Sequence, residues 1–223
     1  YSKRWIVHNN AQRFQEILHI WSEVCYCAIL YIAVMGLYLW SIQHACGMYS
    51  IVSYRLKKLR GTSPTKRHDS KMMLDLVNVV AKHQAAIKYT DVVRETFGRL
   101  FYALHLGSLA CLSLMLLALL LSYRTSSTIS ILRTLASGAM FFQYMFYLNY
   151  GGEKIIESSN QVFLATYYVQ LDTLSTDARK FLLMVIMRSS RTNNLTGGTI
   201  TLSFENYTKI INRSWSFATV LLT

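Results

Sequence analysis

The stretch CYCAILYIAVMGLYLWSIQHACGMYSI, residues 25–51, contains no acidic residue and no Lys or Arg. As an α-helix its roughly 27 residues would extend about 40 Å. A helix needs about 20 mostly apolar residues to cross a bilayer, so this one should tilt or project beyond the lipid. Residues 101–121, FYALHLGSLACLSLMLLALLL, form a second such run, in which only His105 could carry charge. Residues 129–148, ISILRTLASGAMFFQYMFYL, form a third. Arg133, in its first turn, is long enough to reach the interface. Charged residues make up 15% of the chain and hydrophobic ones 52%. Soluble domains usually carry about 25% charged residues. The expectation is an all-α, polytopic membrane helical bundle. There is no initiator Met and no signal-peptide pattern, so the chain reads as part of a longer one.

The formal net charge is +12. A basic chain can bind nucleic acid, but here the apolar excess weighs more, and no nucleic-acid partner is expected. Lys and Arg instead orient the spans. They crowd the connection between the first two runs and the one after the third, whereas the short loop after the second holds only Arg124. The two basic connections are therefore expected in the cytoplasm. The resulting division is 1–24 as an extracellular or interfacial lead-in, 25–54 as a span and 55–100 as a cytoplasmic linker and helix. Next come a span at 101–122, an outer loop at 123–128 and a span at 129–150. Residues 151–196 are cytoplasmic helices, and 197–223 are the last span. Lys3, Arg4 and Arg13 weigh mildly against an outer start. RGTSPTKRHDSK, with the only Pro, reads as a linker. After it, Leu76, Val79, Val80, His83, Ile87, Val93 and Phe97 recur near helical spacing.

The closing segment SFENYTKIINRSWSFATVLLT is apolar yet strewn with polar groups. On a helix, Glu205, Lys209, Asn212, Ser216, Thr219 and Thr223 form one stripe, flanked by Asn206 and Arg213. Phe204, Tyr207, Ile211, Trp215, Ala218 and Leu222 form the opposite one. Glu205 precedes Lys209 by four residues, the favourable order for a surface pair. A soluble helix would carry such a face, but this helix follows three runs of spanning length. Charge in a span is costly and faces water or the bundle interior. Several copies around an axis could enclose water, which makes Glu205, Lys209, Asn212, Arg213, Ser216, Thr219 and Thr223 candidate pore-lining residues. Val220 falls about 40° from Ser216. It could close a pore by dewetting or face lipid or protein, and spacing weighs the two equally.

No chemistry of catalysis emerges, and no enzyme activity, metal site or cofactor is expected. Cys25, Cys27, Cys46 and Cys111 lie in apolar runs without metal-binding spacing, and no His is matched to them. Three glycosylation sequons, at Asn194, Asn206 and Asn212, fall in the cytoplasm or the last span on this topology and read as chance matches. Gly197-Gly198 marks a break before the last helix. Neither internal repeats nor strand patterns are apparent. The third span is rich in aromatics. Phe141, Phe142 and Met145 could share an outward pocket for a small apolar ligand with Tyr26, Tyr31 and Met35 of the first, although core packing explains such a run in most helices.

Met187-Arg188-Ser189, Leu195-Thr196-Gly197-Gly198, Leu202-Ser203-Phe204-Glu205-Asn206-Tyr207 and Ser214-Trp215-Ser216 together resemble the C-terminal signature of insect odorant receptors. YLNYGGEKIIESSNQVFLATYY and HACGMYSIVSYRLKKL are similar to further parts of that family. The resemblance implies a seven-helix fold with a cytoplasmic N-terminus, these spans being the fourth to seventh helices. It implies a subunit of an odorant-gated, non-selective cation channel in the dendritic plasma membrane of sensory neurons. The partner would be an olfactory co-receptor in a hetero-tetramer, and the ligand a small volatile organic molecule. Pore lining and gate would fall on residues 214–221, with Val220 or Leu221 at the gate. Competing expectations are a non-conducting membrane interaction protein and a gustatory-receptor relative. The usual Thr-Tyr-x-x-x-x-x-Gln-Phe ending of the latter is absent.

Overall fold

The computed structural model describes residues 2–59, 66–124, 128–169, 174–198 and 200–220. Helix α1 runs Ser2–Lys58, α2 Lys66–Arg124, α3 Thr128–Thr166, α4 Thr176–Ser189 and α5 Phe204–Val220. Between α4 and α5, strands β1 (Thr196–Gly197) and β2 (Ile200–Thr201) pair antiparallel, Thr196 opposite Thr201 and Gly197 opposite Ile200. Contacts divide the chain into two compact units, Tyr1–Trp40 and Ser41–Thr223. The first is the leading part of α1. On it His19 and Glu23 form an exposed pair at 3.2 Å, a carboxylate partner that the sequence reading did not assign to His19.

In the second unit, the core lies at one end of the long helices. Tyr49, Val52 and Leu56 of α1 meet Met72, Leu76, Val79 and Ala86 of α2, Val162 and Ala165 of α3, and Ala178 and Leu182 of α4. Along α2 from Met72 to Phe97 the buried positions are 72, 76, 79, 83, 86, 90, 93 and 97, alternately four and three apart. That is the seam of a helix packed at a shallow angle against neighbours. The expected helical face is therefore real but shifted. Val80 and Ile87 are half-buried, and Ala86 and Thr90 take the seam positions. Asp177 in the first turn of α4 and Arg188 in its last complement the helix dipole.

The same helix continues without a break across the expected boundary at 100, and its 59 residues extend about 88 Å. Helix α3 likewise continues through Gly151-Gly152 to Thr166, past the expected boundary at 150. By length and composition, Trp21–Lys58 and Met72–Leu121 could each cross a membrane. Residues 129–148, expected as the third span, lie within α3 and outside both; Arg133 and Gln143 lower their hydropathy. The β hairpin is a departure, since no strand was expected. Two residues per strand are too few for an alternating pattern.

Candidate functional site: the last helix and the cavity behind it

The approach to α5 begins in the core. Asn193 Nδ2 donates to the Tyr49 hydroxyl at 2.6 Å, Tyr49 to Thr90 Oγ1 at 3.0 Å, and Thr90 to the Ala86 carbonyl at 2.9 Å. The Asn193 N–H donates to Ser159 Oγ at 3.1 Å. Arg188 Nη2 donates to Asn193 Oδ1 at 3.2 Å. This chain pins the segment before the hairpin to α1, α2 and α3. Beside it the buried His83 meets Tyr49 edge-on, ring centroids 6.4 Å apart. Burial first, and the Arg188 charge second, lower its pKa to about 4.

The hairpin then threads between α2 and α3. Leu195 and Leu202 are buried and extend the ladder, the Leu202 N–H donating to the Leu195 carbonyl at 2.9 Å. Backbone comes close on both sides. A Cβ on Gly197 would lie 2.9 Å from the Tyr102 backbone nitrogen, and one on Gly152 would fall on the Leu202 carbonyl oxygen. Gly198 turns the hairpin with a φ of 61°, in the left-handed region. The glycine pair is thus a turn wedged against α2, more than a break.

Helix α5 starts with two tethers. Ser203 Oγ accepts the Asn206 N–H at 3.2 Å as an N-cap. Glu153, on α3, accepts the Phe204 N–H at 3.1 Å. Its carboxylate thereby sits at the positive end of the helix dipole. Phe146 of α3 stacks on Phe204 with centroids 5.6 Å apart and meets Tyr207 edge-on at 6.4 Å. Part of the aromatic run in α3 therefore seats the last helix.

On the other side, Glu205, Lys209, Asn212, Arg213, Ser216 and Thr219 are all exposed. Lys209 and Glu205 form the expected ion pair at 2.5 Å. Ser216 and Thr219 donate back to the Asn212 and Ser216 carbonyls, which leaves their oxygen lone pairs outward. Among the described residues Arg213 has no ion-pair partner. Asn206, expected to flank the stripe, is half-buried instead. Leu221 and Thr223 lie outside the described residues, as does the side chain of Val220.

Behind the helix is a cavity of about 320 Å3. Leu112 and Met115 of α2, Gly138 and Phe142 of α3, and Ile211 and Trp215 of α5 form much of its wall. Of the expected ligand-pocket residues, Phe142 lines it. Phe141 and Met145 do not; Met145 is buried, and Phe141 lies 6.4 Å from the Tyr144 ring. In the other unit Tyr26 and Tyr31 are exposed and Met35 is buried. The sequence reading missed this cavity. Its signal was small side chains at helical spacing, Thr134, Gly138 and Ala139, facing a Leu- and Met-rich run.

A family model described as 7tm Odorant receptor matches residues 3–215. The chain belongs to the odorant receptor family. No curated protein matches it. Odorant receptors are receptors and not an enzyme family, and membership makes this a chemosensory membrane protein. Its all-α architecture agrees with that class. Among the described residues, no group of three or more His, Cys, Asp or Glu side chains could hold a metal ion.

Proposed function

We propose that this odorant receptor is a subunit of a ligand-gated, non-selective cation channel, and that α5 lines its pore. The supporting observation is the two-sidedness of α5. Six polar or charged side chains, Glu205 to Thr219, are exposed on one side, while Phe204, Tyr207 and Ile211 turn toward α3 and the cavity. In a span, such a face demands water, and water requires further copies around an axis. An olfactory co-receptor in a hetero-tetramer would supply them. A small volatile organic molecule is the ligand, bound toward the outer half with Phe141, Phe142 and Met145 of α3 as its proposed contacts in the larger unit. It acts by favouring an open packing over a closed one. Val220 or Leu221 gates the path. The four spans are the fourth to seventh helices of the family, with 55–100 and 151–196 in the cytoplasm. The protein resides in the dendritic plasma membrane of sensory neurons.

The test is a charge swap. Arg213→Glu, expressed with a co-receptor, should shift the reversal potential in asymmetric NaCl toward the cation potential by several millivolts or more. A reversal potential unchanged from the parent, at equal surface assembly, would remove α5 from the conduction path. It would favour a non-conducting interaction protein.

A further inference from the structure

We infer that the cavity between α2, α3 and α5 is a binding site for a compact, mainly apolar small molecule that enters from the bilayer. It is separate from the outer pocket proposed above, sharing only Phe142 with it, and it depends on the fold and not on conduction. Its volume of about 320 Å3 is at the lower end of the range of small-molecule pockets, about 300–1,000 Å3. The chemistry of the wall narrows the class of ligand. Thr134 is the one residue of the lining with a hydroxyl, and its hydrogen is donated to the Ser130 carbonyl at 2.9 Å. What remains to the ligand is that oxygen's acceptor lone pair and, as the other polar side-chain group of the lining, the indole N–H of Trp215. A charged or strongly polar molecule would therefore leave its groups unsatisfied, at a cost of about 1–3 kcal/mol each. A hydrocarbon, or a monoalcohol donating one hydrogen bond to Thr134, would not.

Two features keep the space open and adaptable. Gly138 has no side chain where a Cβ would come within 3.3 Å of Met115 Sδ, so Met115 can lie across the α3 surface. Methionine is unbranched and reshapes readily around different apolar contours. The third side belongs to α5, through Ile211 and Trp215. These lie on the back of the helix whose front carries Asn212 and Ser216. An occupant would thus press directly on the proposed pore helix.

Trp215 supplies the probe. The full chain in phosphatidylcholine vesicles is titrated with 1-bromoadamantane, a rigid, apolar heavy-atom quencher of tryptophan fluorescence. The expected result is a saturable quench that is absent in Trp215→Phe. In Ala139→Leu, which fills the wall of the cavity, the apparent affinity should fall at least tenfold. Gly138→Ala, which needs only the end of Met115 to yield, should weaken it less. A parallel set of vesicles carries brominated acyl chains and receives non-brominated 1-adamantanol. Relief of the lipid quench by the alcohol, with Thr134→Val weakening that relief, supports the site. A quench that rises linearly without saturating, is unchanged in both cavity-filling variants, or comes from acyl chains that the alcohol does not displace would overturn it. Loss of conduction alone would sink the channel proposal and leave this site standing.

Discussion

Gly152 shows how one missing side chain fixes the path of the chain. Its Cβ would fall on the Leu202 carbonyl oxygen and within 2.5 Å of the Leu202 Cβ, both parts of a buried residue that leads into α5. Nothing there is the free end of a flexible side chain, so Gly152→Ala must push hairpin and helix apart. Overpacking of this kind costs about 1–3 kcal/mol. Gly47→Ala, also in a helix but with nothing within 4 Å of its Cβ, should instead be neutral or stabilise by up to about 1 kcal/mol. Thermal unfolding of the detergent-solubilised protein, followed by circular dichroism, should lower the midpoint of the first variant and not the second. His83 sets a pH dependence in the core, within the segment proposed to be cytoplasmic. Its folded pKa of about 4 lies below the ordinary value of 6.5, so the unfolded chain binds the proton more readily. The stability it contributes is present above pH 6.5 and is lost as pH falls toward 4. At about 1.4 kcal/mol per unit, that loss is about 3 kcal/mol. Denaturant unfolding between pH 7 and 4 should show it, and His83→Leu should flatten the slope.

At the scale of elements, α5 is held at its first turn more firmly than an isolated helix end would be. Glu153 lends a carboxylate from α3 to the Phe204 N–H, and Ser203 caps Asn206. Glu153→Gln keeps the shape but removes the charge from the dipole, a loss of about 1 kcal/mol. Hydrogen exchange at the amides of residues 204–207 should accelerate about fivefold, while residues 212–216 should change little. The sequence made α5 and its stripe legible, because polar residues four and three apart can only align on a helix. The buried face of α2 was legible for the same reason, through Leu76, Val79, His83, Val93 and Phe97. The hairpin was not. Thr196-Gly197 and Ile200-Thr201 show no period; Thr196 and Gly197 lie against Gly98 and Tyr102 of α2, and Leu202, just past the second strand, lies against Gly152 of α3. The continuity of α3 through Gly151-Gly152 was hidden too. A glycine pair ordinarily weakens a helix, but here the close approach of Leu202 requires Gly152. The cavity behind α5 is a property of three helices at once, and no single segment announces it.

In the larger unit apolar side chains are exposed along both stretches of α2, Leu74, Val77 and Val92 as well as Leu106, Leu114 and Leu121. Exposure alone does not distinguish lipid from water, but a charge placed at matched sites does. Leu114 and Leu74 both lie on α2 and are both 62% exposed. Leu114 falls in the proposed span 101–122, and Leu74 in the proposed cytoplasmic segment 55–100. Leu114→Lys must place an ammonium near the middle of the hydrocarbon, at about 2.5–3.5 kcal/mol on insertion scales. Leu74→Lys places the same group in water, where surface changes are usually within about 0.5 kcal/mol. The fraction of chain that resists alkaline extraction from membranes should fall severalfold for the first variant and stay at the parental level for the second. Equal losses would mean that both stretches of α2 meet the same solvent. The division into span and cytoplasmic helix would then have to move, and with it the reading of the α5 stripe as a wet face within a span.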